Sequence, residues 1–479
     1  MGVMSTRIVG LIACLPLLAC GGSADDSRGD DSATAPTAPG TVSVTVSASG
    51  TVPTSGASAD GTATDDTVTG GASMGASTGT SAGVDDSSGP AVDTGEAPKF
   101  DVNNLPDAGA GCGGGMMVDE SFIWIPSTSD GWVSKIDTRT MTELARYVTG
   151  PNGGVESVSR TAVSIDGRFV IVNARGTGRS TVVAANIADC VDTNGDAVIT
   201  TAASVADMKP WQGDECVLWS ILHPAWDNND THGPRGVSWT PGNYDPATCT
   251  YTDQKIWLGY LSGGDAHIVN LDGLTGNLVN ELIVPGWDGS GYAPYGGALD
   301  PSLRPWFTGL RGELARVDVN ANPLTVTRIS QPLDIQTYGM TVDPDGNPWM
   351  GGCSGPVSTY DINTNQWISI AGTNACHRGM AVDHNFHVWV ASNGPCGLVE
   401  VDGKTRTLVA QHQLAQCSTP IGVSVDVDGY VWLVDQEGWA WKIDTANPAG
   451  MQMMQVPGSH YVYSDMTGGQ LKSVSPPPG

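Results

Sequence analysis

The feature that most constrains this chain is a hairpin that recurs at a fixed period. Four segments align without gaps: Leu299-Asp300-Pro-Ser-Leu-Arg-Pro-Trp306, Val342-Asp343-Pro-Asp-Gly-Asn-Pro-Trp349, Val382-Asp383-His-Asn-Phe-His-Val-Trp389 and Val425-Asp426-Val-Asp-Gly-Tyr-Val-Trp432. In each, Asp precedes Trp by six residues, and the repeats start 43, 40 and 43 residues apart. Apolar residues flank the Asp and follow the Trp, with turn formers between, which predicts a buried strand, a tight turn and a second strand. A short strand ending in Asp follows each hairpin, as in Leu314-Ala-Arg-Val317-Asp318 and Leu398-Val-Glu-Val401-Asp402, and a further apolar strand comes after a polar turn. Four strands in about 42 residues is the period of a β-propeller blade.

Weaker copies extend the series. Val163-Ser-Ile-Asp166 starts blade 2, Arg235-Gly-Val-Ser-Trp239 with Lys255-Ile-Trp-Leu gives blade 3, and Phe122-Ile-Trp-Ile is the second strand of blade 1. Blade 1 has no good first strand before Met116. The tail His460-Tyr-Val-Tyr-Ser-Asp-Met-Thr-Gly468 can supply it, closing the ring and leaving no open sheet edge. The count is then seven, with six or eight open because residues 186–255 are irregular. The repeated Trp and Asp read as architecture: Trp packs between blades, and Asp at a strand end caps a turn.

The chain ahead of the repeats has a different character. Arg7 and the apolar run Ile8–Ala19 form an export signal too short to span a bilayer as a permanent helix. It ends in Leu17-Leu18-Ala19-Cys20, which resembles the lipobox of bacterial lipoproteins; the resemblance implies lipidation at Cys20 and a membrane partner held through that lipid. Leu11-Ile12-Ala13-Cys14 also fits the pattern but leaves too short an apolar stretch before it. Residues 21–98 are Ser, Thr, Gly, Ala and Asp with no aromatic residue, too little apolar surface to offset ordering entropy. The division is thus a signal over 1–20, a disordered tether over 21–98 and the propeller over 99–479, with an insertion at about 188–233. The expected location is extracytoplasmic and lipid-anchored, at the outer membrane, facing periplasm or surface.

Charge narrows the partners. The whole chain carries a net −28, and residues 99–479 hold 39 acidic against 20 basic side chains. That argues against nucleic acid. Eight of the ten cysteines lie in the propeller region, an even number that suggests four disulfides in an exported chain. Cys353 and Cys396 follow the second strands of their blades, and Cys376 and Cys417 precede the next inner strands. Equivalent bridges Cys353–Cys376 and Cys396–Cys417 are therefore expected, with Cys190–Cys216 and, by elimination, Cys112–Cys249.

The unit Thr419-Pro-Ile-Gly-Val-Ser-Val-Asp-Val-Asp-Gly-Tyr-Val-Trp-Leu433 resembles the NHL-type propeller repeat and is similar to that of virginiamycin B (streptogramin) lyases. The resemblance implies the scaffold. It also implies, as an alternative function, an elimination using His and Glu with a magnesium ion, for which that family's repeats carry His-Gly-Ile and Trp-Phe-Thr-Glu. Here Trp306-Phe307-Thr308 is followed by Gly309, the positions three after the other hairpin tryptophans are Gly352, Ser392 and Asp435, and Arg378 separates His377 from Gly379. The catalytic set is not reproduced; His377 and His232 are the only weak candidates.

In a propeller the inner strands line an axial tunnel, and the residue at the start of each sits at its mouth. Those positions are Arg160, Arg235, Tyr295, Tyr338, Arg378 and Ile421 in blades 2 to 7. Three Arg and two Tyr converging in an acidic domain suit an anionic or carbonyl-rich small molecule, or a partner protein. A second candidate is Asp192-Thr-Asn194-Gly-Asp196-Ala-Val198, which resembles the start of a calcium loop, with oxygens at positions 1, 3 and 5 and a carbonyl at 7. It departs at position 6, Ala197, and position 12, Ala203; Asp207, Asp214 or Glu215 are substitutes from further along. No phosphate loop, zinc helix or nucleophile elbow occurs. The expectation is a tethered binding module, with a lyase or hydrolase acting at the funnel as the alternative.

Overall fold

The computed structural model describes residues 41–42 and 121–475. The signal, Cys20, most of the tether and Cys112 lie outside them. Within 121–475 the chain is all-β and forms seven sheets in a ring, each a blade. Blade 4 shows the pattern: Gly296–Leu299, Pro305–Thr308, Glu313–Asp318 and Thr325–Ser330 pair in sequence order, antiparallel. The inner strands are Val158–Val163, Val237–Trp239, Gly296–Leu299, Gly339–Val342, Ala375–Val382 and Pro420–Val425 for blades 2 to 7, and each neighbours the next around the axis.

The repeat's Asp and Trp have a shared role. The indole nitrogen of Trp306 donates to Asp300 at 3.0 Å, and Trp349, Trp389 and Trp432 do the same to Asp343, Asp383 and Asp426 at 2.8, 2.9 and 2.8 Å. The other carboxylate oxygen accepts the backbone amides two and four residues on, as Asp426 does from Asp428 and Tyr430 at 3.0 Å each. One buried carboxylate thus fixes the turn and satisfies the only polar atom of a fully buried Trp. The four tryptophans are 0% exposed and lie in the clusters between blades.

Blade 1 has three strands of its own, Phe122–Ser127, Trp132–Asp137 and Thr142–Val148. The C-terminal segment lies along its inner edge, as expected. The Trp124 amide donates to the Met466 carbonyl at 2.9 Å, the Thr128 amide to Ser459 at 2.7 Å, and His460 Nδ1 to the Pro126 carbonyl at 2.9 Å. The segment also reaches both neighbours: Thr161 of blade 2 donates its amide to Ser464 Oγ at 2.8 Å, and Met466 donates to Ser424 Oγ of blade 7 at 2.8 Å. Gly422 makes this approach possible, since a Cβ there would stand 2.8 Å from both Val462 Cγ1 and the Val462 carbonyl oxygen.

The irregular stretch resolves into two insertions around an outer strand. Val217–Leu222 is the fourth strand of blade 2, so residues 185–216 form a loop inside that blade, and 223–236 lead to blade 3. A hairpin, Asn243–Asp245 with Thr250–Thr252, extends the connection within blade 3. Disulfides Cys190–Cys216, Cys353–Cys376 and Cys396–Cys417 are present, as expected. Cys249 is also disulfide-bonded; its expected partner, Cys112, is not among the described residues. Three bridges place the domain in an oxidising, extracytoplasmic compartment. Among the described residues, no helix is long and apolar enough to cross a membrane.

Candidate functional site at the axial funnel

The six mouth positions do come together. The guanidinium carbons of Arg160 and Arg235 lie 5.1 and 4.9 Å from the Tyr295 ring centre. Tyr295 meets Tyr338 edge-on at 5.7 Å, and Arg378 stands 5.8 Å from the Tyr338 ring. Ile421 packs in the same cluster as Tyr295. The inner strands, one from each blade, carry these side chains to a common axis; no local motif does so.

What the sequence reading missed is that the funnel already holds part of the chain. The segment that closes blade 1 is extended, so its side chains alternate. Val462 and Met466 enter the core between blades 1 and 7. Tyr461 and Tyr463 pack in the same cluster against Tyr295, at the mouth. Tyr463 sits 4.2 Å beneath the Arg160 guanidinium and 5.5 Å from the Tyr338 ring. The Tyr461 hydroxyl is 2.6 Å from that of Tyr295, and its carbonyl accepts from Arg160 Nη1 at 3.2 Å. The alternation Tyr461-Val-Tyr463 was the signal available, because a closing strand must turn one face to the axis. Further on, Gly469–Val474 forms a short helix whose Gln470 Nε2 donates to the Leu299 carbonyl of blade 4 at 2.9 Å. Between this helix and inner-strand residues such as Ser238, Gly297 and Val423, a cavity of about 10 Å³ remains, roughly room for one water.

Charge in the mouth is lopsided. Arg175 pairs with Asp230 at 2.7 Å, and Arg235 stands 3.6 Å from the same carboxylate while donating to the Asp230 carbonyl at 3.2 Å. Arg175 also lies 5.1 Å from the Tyr461 ring. Two guanidiniums, those of Arg175 and Arg235, therefore share one carboxylate, and Arg235 and Arg160, its neighbour across the Tyr295 ring, are only 1% exposed. Burial lowers the pKa of Arg160, with the like charge of Arg235 acting in the same direction, and burial raises that of Tyr295. Arg378 is at the outer rim, bonded to Asn393 Oδ1.

The two histidines part company. His377 is 0% exposed, with Nε2 bonded to the Thr373 carbonyl and its pKa lowered by burial. It is sealed between blades and cannot meet a substrate. His232 is partly exposed on the loop before blade 3, with Nδ1 2.8 Å from Asp227 Oδ2. The His232 pair holds the Asp227 pKa below the usual carboxylate value against the opposing effect of burial.

The 192–198 loop is closed by its own groups. Asp192 accepts the Gly195 and Ala197 amides at 2.6 and 2.9 Å, Asn194 that of Asp196 at 2.8 Å, and Asp196 that of Val198 at 2.8 Å. Ala197 at position 6 takes φ 65, the left-handed conformation in which the calcium motif places glycine. Of the three substitute acids, Glu215 reaches the loop, accepting the amides of Thr193 at 2.8 Å and Thr200 at 2.7 Å. Asp214 instead receives Thr201 Oγ1 at 2.8 Å, and Asp207 receives the Ala203 amide at 3.1 Å.

No protein-family model matches this chain, and no curated protein does. Among solved structures, virginiamycin B lyase from Staphylococcus aureus is similar at 15% identity and a TM-score of 0.46, covering 66% of this chain and 92% of that one. AztD from Citrobacter koseri gives 13% and 0.48, covering 72% and 97%. A putative 6-phosphogluconolactonase from Bacteroides uniformis gives 13% and 0.45, covering 73% and 98%. The propeller rests on this chain's own sheets, seven blades closed by its C-terminal segment.

Proposed function

We propose that the chain is a lipid-anchored, extracytoplasmic binding module whose propeller takes an anionic small molecule, or an acidic patch of a partner protein, at the funnel mouth. One observation carries this reading: Arg160 and Arg235 meet across the Tyr295 ring and Arg175 and Arg235 share the carboxylate of Asp230, beside Tyr338 and Tyr461, in a chain of net charge −28. Guanidiniums offer fixed forks of donors, and tyrosines offer a flat face with a hydroxyl, a set suited to oriented oxyanions and carbonyls. The anchor is Cys20. A thermal-shift screen of the mature protein against anionic, neutral and cationic compounds tests the reading. Stabilisation by anions that weakens in Arg378→Gln supports it; stabilisation confined to cations overturns it. Incorporation of labelled palmitate that is lost in Cys20→Ala tests the anchor.

A second reading, a lyase or hydrolase, is favoured by one feature, the His232–Asp227 pair at 2.8 Å. An imidazole oriented by a carboxylate is the arrangement of a general base. Turnover of a streptogramin B depsipeptide that disappears in His232→Ala would establish it, and absence of turnover with magnesium present would dismiss it.

A further inference from the structure

Four arginines of this molecule meet a carboxylate in the same way. Arg139 grips Asp428 through Nε at 2.8 Å and Nη2 at 3.1 Å. Arg146 holds Glu143 through the same two nitrogens at 2.6 and 2.8 Å. Arg328 on Glu313 and Arg168 on Asp189 repeat the pattern. In all four, the side-on edge of the guanidinium, Nε with Nη2, faces a carboxylate as a two-pronged fork.

Arg160 presents that edge without a partner. Its Nη1 donates to the Tyr461 carbonyl, but Nε and Nη2 are buried and bonded to nothing among the described residues. Arg235 is in a similar state, with Nε and Nη1 unpartnered. The two guanidiniums flank the Tyr295 ring and so lie within 10 Å of each other. Each orphaned buried donor leaves its desolvation uncompensated, and two unneutralised charges side by side add repulsion. In those four the chain supplies a carboxylate to this edge; Asp230 serves Arg175 and Arg235.

We propose that Arg160 and Arg235 form a carboxylate-binding subsite, in which the Nε–Nη2 fork of Arg160 takes both oxygens and Arg235 supplies an additional donor. The proposal rests on the binding reading above and names the chemical group that the funnel recognises. Tyr461 is the cover. It is the partly exposed member of the cage that Tyr295, Tyr461 and Tyr463 build around Arg160, and its ring is held by a hydroxyl contact to Tyr295, an edge contact to Tyr463 at 4.6 Å and the Arg175 guanidinium at 5.1 Å. A ligand carboxylate enters as this ring swings aside, and the aromatic walls favour an acid with a flat apolar body.

Benzoate is the probe, titrated into the mature full-length protein at constant ionic strength in chloride, with inorganic phosphate as a second arm. Arg160→Lys keeps the charge and removes the fork, so benzoate affinity should fall at least tenfold. Tyr461→Ala should tighten it several-fold. Because Arg160→Lys can also disturb folding, the wild-type protein is labelled with 15N-arginine: an Nε–H proton resonance should move downfield as benzoate saturates. Affinity unchanged in Arg160→Lys, or no arginine Nε–H shift at saturation, overturns the subsite. Phosphate binding tenfold tighter than benzoate overturns the carboxylate assignment. If Arg378→Gln abolishes binding while Arg160→Lys leaves it intact, the mouth still binds anions but this subsite is wrong; if no anion binds at all, the broader reading falls with it.

Discussion

The Tyr461 hydroxyl lies 2.6 Å from the Tyr295 hydroxyl, joining the C-terminal segment to the inner edge of blade 4 across the axis. A segment whose neighbours seal the edge of blade 1 therefore also braces the far side of the ring. Loss of the closing segment should cost more than one strand's worth of hydrogen bonds. Gly422→Ala tests this without truncation, because the added methyl meets Val462 at 2.8 Å. A loss of about 1–3 kcal/mol is expected, the usual range for overpacking. The change should appear as a lower urea midpoint.

Trp432→Phe keeps most of the buried ring but removes the indole donor to Asp426. The carboxylate then stays buried with one oxygen unserved, at a cost of about 1–3 kcal/mol. Asp426→Asn in the same background should recover part of it. The equivalent change at Trp389 should behave alike, since Asp383 serves it in the same geometry. Chemical denaturation of these variants measures both.

His223 is 5% exposed, stacked on Tyr260 at 4.9 Å and bonded to Ser180 Oγ at 2.9 Å, and burial pushes its pKa down to about 4. The unfolded chain takes up a proton near pH 6.5 and the folded one does not, so this residue's contribution is full above about pH 6.5 and is lost as pH falls toward 4. The difference is on the order of 3 kcal/mol. His377 and His460 are lowered in the same direction by burial. Stability measured from pH 7.5 to 4 should fall on this acid limb, and His223→Phe should flatten it.

Cys396–Cys417 and Cys353–Cys376 span 21 and 23 residues. Closing loops of that size constrains the unfolded chain by roughly 3 kcal/mol each. Cys396→Ser with Cys417→Ser should lower the denaturation midpoint accordingly, and a reducing agent should destabilise the wild-type protein but affect the double variant less.

Much of the fold was legible because a hairpin imposes its spacing on sequence: the Asp that opens one tight turn binds the indole of a Trp six residues on, in the returning strand. The mouth residues were legible for a related reason, since the start of an inner strand has one direction to face. The occupant of the funnel was not, because the pairing of Tyr461 with Tyr295 spans 166 positions and no local pattern encodes it. Likewise, His377, a catalytic candidate, neighbours Arg378 in the chain, yet consecutive strand residues face opposite ways, so only one of the two could reach the axis. The 185–216 loop hid the outer strand Val217–Leu222 by interrupting the period.

The contact between Pro126 and His460 spans 334 positions, and it has a consequence for the order in which the protein matures. Hairpins and the three described disulfides join neighbours, so blades can form one after another as the chain emerges. The last seam cannot, and until it closes the first sheet keeps an unprotected border able to recruit a strand from another molecule. Yield in the exporting cell should thus be governed by how long that border waits, more than by the stability of any single blade.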